Sequence, residues 1–196
     1  MPAWCLAFVR IVDAVNYRIG RMAMYLFFAL MGILMWSAIS KQLFNPSLWT
    51  LEMAQFAMVA YYILGGPYAM QMGQQVRMDL FYARWSPRRQ ALTDAITVIA
   101  LLIYLAVMIW GAWDSLVYSL QLKWPDGSLL PQIGRLERSP TAWRPWLWPI
   151  KLTLFIGFLL MLLQSLAFLI RDIATLRGVH IPGAHLHSEP QTEDAA

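Results

Sequence analysis

Four long apolar stretches of the chain contain no Asp, Glu, Lys or Arg. These charge-free windows cover residues 22–40, 53–76, 95–113 and 152–170. A helix needs about 20 mainly apolar residues to cross the roughly 30 Å hydrocarbon layer of a bilayer. Only helices and closed barrels satisfy all their backbone groups in lipid, and barrel strands are much shorter than these windows. The pattern therefore predicts four transmembrane helices.

The predicted fold is an all-α membrane protein with one four-helix transmembrane domain over residues 1–178. Its spans are expected at residues 20–42, 47–75, 92–118 and 149–171. A short amphipathic arm helix is expected at 76–86, and an outer loop at 119–148. The polar residues 179–196 are expected to form a disordered cytoplasmic tail.

Two Pro dipeptides are typical of helix starts, because Pro suits the first turn of a helix. Asn45-Pro46 predicts a cap for the second helix, and Ser86-Pro87 predicts one for the third. Before the first span, Trp4 and Phe8 begin a series of apolar residues at helical spacing. That series fits either an interfacial helix or a simple extension of the first span.

Composition agrees with a membrane protein. Hydrophobic residues make up 59% of the 196 residues and charged residues 13%, about half the usual share for a soluble domain. Four spans place both termini and the middle loop on one side, which carries nine of the 15 basic residues. The positive-inside rule then predicts cytoplasmic termini. The basic residues form no long run, so nucleic acid is not an expected partner.

The predicted arm gathers apolar and aromatic side chains on one helical face beside a basic stripe. The face comprises Met78, Phe81, Tyr82 and Trp85, and the stripe Arg77 and Arg84. Such a helix lies flat on a membrane surface. It either touches a partner or serves only as a lipid anchor.

The windows contain none of the ionisable side chains that transport or catalysis inside a membrane usually requires. All three His residues follow the last window, which rules out haem ligation by His inside the predicted bundle. A single Cys excludes an internal disulfide, and no phosphate loop, nucleophile elbow or zinc motif occurs. We expect no cofactor, no metal and no enzymatic activity. Glu52, at the start of the second helix, is the carboxylate best placed for a buried role.

The second helix is rich in small residues. Gly65, Ala69 and Gly73 recur every four residues, beside Gly66 and Pro67. Small residues at this spacing allow helix backbones to approach closely in lipid. The stripe is predicted to pack either within the bundle or against another protein.

The run Glu52-Met-Ala-Gln-Phe, then Gly65-Gly66, then Gly73-Gln-Gln-Val-Arg-Met-Asp-Leu-Phe-Tyr82 resembles a known family. It is similar to the small, DctQ-like membrane subunit of tripartite ATP-independent periplasmic (TRAP) transporters. Pro87-Arg88-Arg89 continues the likeness, whereas Gln75 stands where members often carry His. Residues 137–140 and 148–151 are similar to the subgroup labelled for mannitol or chloroaromatic compounds.

The resemblance implies a subunit of the bacterial inner membrane that pairs with a large permease subunit. A periplasmic binding protein would deliver an organic acid for sodium-coupled uptake, and the small subunit would be a non-catalytic scaffold. Packing or partner contacts are expected at Glu52, Gln55, Gly65, Gly66, Ala69, Gly73, Arg77, Asp79, Tyr82, Arg84 and Trp85. The alternatives are a stand-alone four-helix transporter working as a homodimer, with Glu52 as its carboxylate, and a membrane anchor for a redox enzyme.

Overall fold

A computed structural model describes residues 3–43, 47–72, 87–122 and 134–176. These residues form four helices and contain no β-strand. The helices are α1 (Ala3–Leu43), α2 (Thr50–Gln71), α3 (Pro87–Leu120) and α4 (Trp148–Leu176). The predicted all-α architecture is confirmed.

Helix α1 is much longer than the predicted first span. Its 41 residues extend about 61 Å at 1.5 Å per residue, twice the thickness of the hydrocarbon layer. The N-terminal apolar series and the first span therefore form one continuous helix. Pro87 opens α3 as predicted. The predicted cap at Asn45-Pro46 lies outside the described residues; α2 begins at Thr50, with Trp49 in the cap position and without a side-chain cap hydrogen bond.

Three of the four helices are long and apolar enough to cross a membrane: Trp4–Leu43, Ile96–Leu120 and Trp148–Arg171. The protein is thus a multi-pass membrane protein. Helix α2 has 22 residues, about 33 Å, which is sufficient length, but Gln55, Pro67 and three Tyr side chains make it less apolar. The fourth span remains a prediction.

Contacts between helices fix their directions. Tyr17 of α1 packs against Tyr68 of α2, and Phe27 packs against Tyr61, so these two helices are antiparallel. Helix α4 is antiparallel to α3, since Trp113 packs against Phe155 while Tyr118, further along α3, packs against the earlier Lys151 of α4.

A parallel pair joins the two halves of the bundle. Two glycines lie close to side chains of the opposite helix. A Cβ atom at Gly157 of α4 would meet Ile63 of α2, and a Cβ atom at Gly66 of α2 would meet Met161 of α4. Residue numbers rise together in these two contacts, so α2 and α4 run in the same direction. The start of α1 therefore lies at the same end of the bundle as the ends of α2 and α4.

The buried interior is small, and the outer faces are apolar. One core cluster comprises Val9 and Val12 of α1 with Ala167 of α4. Trp110 on α3 is 80% exposed and Met22 on α1 is 72% exposed. Such surfaces suit lipid or a partner subunit, and they would be unfavourable in water.

Candidate subunit-packing site

Helix α2 carries several of the residues predicted to make packing or partner contacts. Glu52 is buried, with 5% of its surface exposed, and its Oε2 accepts no hydrogen bond from the described residues. Gln55 is exposed and Ala69 is half-buried. A carboxylate and an amide one turn apart thus face opposite environments.

The exposed side of α2 is a single stripe. Its members are spaced by three or four residues, which places them on one helical face. Leu51, Gln55, Met58 and Tyr62 are exposed, and the half-buried Gly65 and Ala69 continue the same face. A Cβ atom at Gly65 would meet no heavy atom within 4 Å, whereas one at Gly66 would lie 3.3 Å from Sδ of Met161. Gly66 therefore packs inside the bundle, and Gly65 faces open space.

Six of the predicted contact residues lie outside the described residues. They are Gly73, Arg77, Asp79, Tyr82, Arg84 and Trp85. The arm helix and the contacts proposed for it remain predictions.

Two glycines that the sequence reasoning missed make the closest helix contacts. A Cβ atom at Gly20 of α1 would lie 2.2 Å from Cβ of Tyr68, and one at Gly157 of α4 would lie 2.0 Å from Cγ2 of Ile63. Any larger side chain at either position would force the helices apart. Both are single glycines within helical segments, and no repeat of small residues in the sequence marks either position.

A buried polar network joins α1, α2 and α4 at one end of the bundle. Nδ2 of Asn16 donates to Oε1 of Gln164 at 2.6 Å, and Nε2 of Gln164 donates to Oδ1 of Asp13 at 3.1 Å. Arg171 forms an ion pair with Asp13, and Gln71 donates to the Asp13 carbonyl oxygen at 3.2 Å. Asn16 and Gln164 are at most 1% exposed. The network ties three helices together.

At the opposite end, hydroxyl groups close the turn between α1 and α2. Oγ1 of Thr50 donates to Oγ of Ser37 at 3.2 Å and lies 3.0 Å from Oγ of Ser47. Ser40 lies 3.2 Å from Ser47 through their hydroxyls. Thr50 and Ser40 are buried, so these hydrogen bonds join the end of α1 to the start of α2 away from the surface.

Residues 137–147, here called the loop hairpin, fold back onto the ends of α3 and α4. The backbone N–H of Leu147 donates to the Glu137 carbonyl at 3.2 Å, and the Glu137 N–H donates to the Ser119 carbonyl at 3.0 Å. Nζ of Lys151 donates to Oε2 of Glu137 at 2.6 Å. This hydrogen bond from Lys151 is the largest cause of a lowered pKa at Glu137, outweighing the effect of burial. The hairpin is therefore pinned to both helices.

The described residues contain no group of three or more His, Cys, Asp or Glu side chains that could hold a metal ion. The ion pairs Lys151–Glu137 and Arg171–Asp13 each link one element to another. The arrangement supports packing of helices.

A family model for the DctQ component of tripartite ATP-independent periplasmic transporters matches residues 30–175. The chain belongs to the DctQ family. The match extends from the middle of α1 to the end of α4 and confirms the resemblance carried by the second helix. No individual curated protein matches the chain.

As a DctQ component, the protein is part of a transporter and not a member of a catalytic family. The family also implies association with other TRAP components. The match identifies the family and does not address the mannitol or chloroaromatic subgroup, which remains a prediction.

Proposed function

We propose that this DctQ component is the small, non-catalytic permease subunit of a TRAP transporter, a static scaffold for the large permease subunit. The complex would take up an organic acid with sodium after a periplasmic binding protein delivers it. The observation that carries the proposal is the family match over residues 30–175. Sodium coupling, the acid and the delivery step are what the family resemblance implies.

All four helices cross the bacterial inner membrane in this proposal. Helix α2 is long enough, is antiparallel to α1 and runs parallel to the membrane-spanning α4. An even number of crossings agrees with the start of α1 and the end of α4 lying at the same end of the bundle. The excess of basic residues at that end favours cytoplasmic termini.

The scaffold role is supported by how the buried polar groups are used. Asp13, Asn16, Gln164 and Arg171 bond to one another and join helices. A transport pathway needs polar groups that are free to meet a solute. The network's side chains bond across helices, while Oδ1 of Asn16 accepts no hydrogen bond from the described residues. Helices joined in this way favour a body that keeps its shape while another subunit moves.

The exposed stripe of α2 is the face that we propose for the large subunit. Gln55 is an exposed amide on a helix proposed to cross the membrane, and a hydrogen-bonding partner there would stabilise it. Gly65, with open space beside it, would let a partner helix approach closely. The predicted arm residues would extend this contact at the cytoplasmic surface.

The test is co-purification of an untagged large subunit with the tagged chain from cells that express both in a mild detergent. Gly65→Leu should lower the recovery of the large subunit several-fold because the leucine would occupy the partner's space. Gly111→Leu is the matched control, since a Cβ there also meets nothing within 4 Å. Both variants should fold normally.

Recovery of the tagged chain alone, in several detergents, would contradict the subunit role. Equal losses for Gly65→Leu and Gly111→Leu would instead contradict the assignment of the α2 face. Transport by the purified chain alone in liposomes, abolished by Glu52→Gln, would support the stand-alone transporter.

A further inference from the structure

The loop hairpin presents a basic and aromatic surface directly before α4. Arg135, which precedes the hairpin, and Arg138 and Arg144 within it are exposed. Trp143 and Trp146 are 41% and 49% exposed. The only carboxylate in the hairpin, Glu137, is already paired with Lys151, so the exposed charge at this surface is positive within the described part of the chain.

Arginine and tryptophan are held together in this surface. Arg138 and Trp146 face each other across an antiparallel bridge, and the Arg138 guanidinium carbon lies 5.8 Å from the Trp146 ring centre. Such a pair offers a phosphate both hydrogen-bond donors and a flat amphipathic ring. The hairpin's bonds to α3 and α4 keep this pair in place.

Arg144 occupies a backbone conformation that glycine would adopt more easily. Its φ angle is 51°, in the left-handed region, and its N–H donates to the Thr141 carbonyl at 3.2 Å. Strained residues of this kind are often found where a side chain has a function. Here the turn directs a long cationic side chain into an exposed position.

The membrane position of the hairpin indicates what the surface meets. The apolar span of α4 begins at Trp148, one residue after the hairpin ends. Trp and Arg beside the end of a span lie at the depth of the lipid headgroups. Arginine binds phosphate oxygens with two parallel hydrogen bonds, which lysine does not match.

We propose that the loop hairpin binds the headgroup phosphate of an anionic phospholipid through Arg138 and Arg144, with Trp143 and Trp146 against the lipid's glycerol region. The inference rests on the membrane span of α4 and not on the transporter role, so it stands or fails independently of the proposed function. It gives the hairpin a partner that the described bundle does not supply.

The test measures lipid binding to the purified full chain in detergent by native mass spectrometry. Dioleoyl phosphatidylglycerol should bind more tightly than dioleoyl phosphatidylcholine. A double variant, Arg138→Gln with Arg144→Gly, should weaken phosphatidylglycerol binding roughly thirty-fold, at about five-fold for each arginine near the surface. Phosphatidylcholine binding should change little, and raising the salt concentration should reduce the difference between the two lipids.

Two features keep the test specific. Arg144→Gly relaxes the left-handed turn, and an unchanged unfolding midpoint of the double variant would show that Arg138→Gln does not damage the hairpin either. Lys41→Gln is the matched control, because it removes one exposed positive charge from the end of α1. The Lys41→Gln variant should still bind phosphatidylglycerol more tightly than phosphatidylcholine.

Four results would overturn the proposal. The double variant could keep its preference for phosphatidylglycerol, or Lys41→Gln could weaken it as much as a single hairpin substitution does. Millimolar glycerol 1-phosphate could displace the lipid, which would identify a site for soluble phosphates. An unchanged lipid preference with lost binding of a soluble partner protein would assign the surface to protein docking.

Discussion

Replacing Gln164 with leucine should loosen the contact between α1 and α4. The change keeps most of the side-chain volume and removes two buried hydrogen bonds, one from Asn16 and one to Asp13. Interhelical hydrogen bonds in membrane proteins contribute about 0.6 kcal/mol on average and up to about 1.7 kcal/mol. Two such bonds, in a site with 0% exposure, predict a loss of about 1–3 kcal/mol in the free energy of unfolding.

The assay is reversible unfolding of the purified protein in mixed micelles, titrated with a denaturing detergent and followed by circular dichroism. A double-mutant cycle of Asn16→Leu, Gln164→Leu and the combined variant isolates their mutual interaction. We expect a coupling energy of about 0.6–1.7 kcal/mol between the two positions. The double variant should therefore be more stable than the sum of the single losses predicts.

Gln55→Leu is the control, because it makes the same chemical change at an exposed position of α2. It should leave stability in micelles unchanged or slightly higher. A coupling energy near zero, or a Gln164→Leu variant as stable as the parent, would refute the view that this network ties the helices together.

Three further measurements address other contacts in the bundle. Gly157→Leu should lower the free energy of unfolding by about 1–3 kcal/mol, since its Cβ would meet Ile63, and an unchanged unfolding midpoint would contradict the close approach of α2 and α4. The pKa of Glu137 is lowered from 4.5 by Lys151, so this pair stabilises the fold above about pH 4.5 and loses its contribution as the pH falls through the lower folded-state pKa. Glu137→Gln should abolish that acid-dependent part, about 1 kcal/mol or less, in unfolding curves recorded between about pH 3 and 5. Thr50→Val keeps the side chain's shape but removes its hydroxyl bonds, and unfolding in mixed micelles should show a loss of about 1 kcal/mol; no loss would mean that the hydroxyl cluster does not stabilise the turn.

Charge-free windows predicted the helices well but not their ends. The charge-free window after Arg21 placed the start of the first span near residue 20 and left open whether the preceding residues extend it; α1 begins at Ala3. The structure shows why a charge is tolerated there: Asp13 pairs with Arg171, 158 positions away. A pattern within one helix contains no information about a partner on another helix.

The site residues were predictable only in part. The spacing of small residues pointed to Gly65 and Ala69 but not to Leu51, Met58 and Tyr62 on the same face. The exposure of that face was not readable from the sequence, because it depends on how α2 is rotated between α1 and α4. Gly20 and Gly157 escaped notice for the same reason. A single glycine becomes informative only when the opposing residue, Tyr68 or Ile63, is known.

The length of α1 has a practical consequence for establishing topology. Even at a tilt of 40°, the upper end of the usual range, a 61 Å helix covers about 47 Å along the membrane normal. A bilayer with its headgroups measures about 40–45 Å, so at least one end of α1 reaches water. The only cysteine of the chain, Cys5, lies in the first turn of this helix and is half-buried. Labelling of Cys5 by a membrane-impermeant maleimide, compared between intact and opened cells, would show without engineered residues whether the N-terminal end of α1 reaches water and on which side of the membrane.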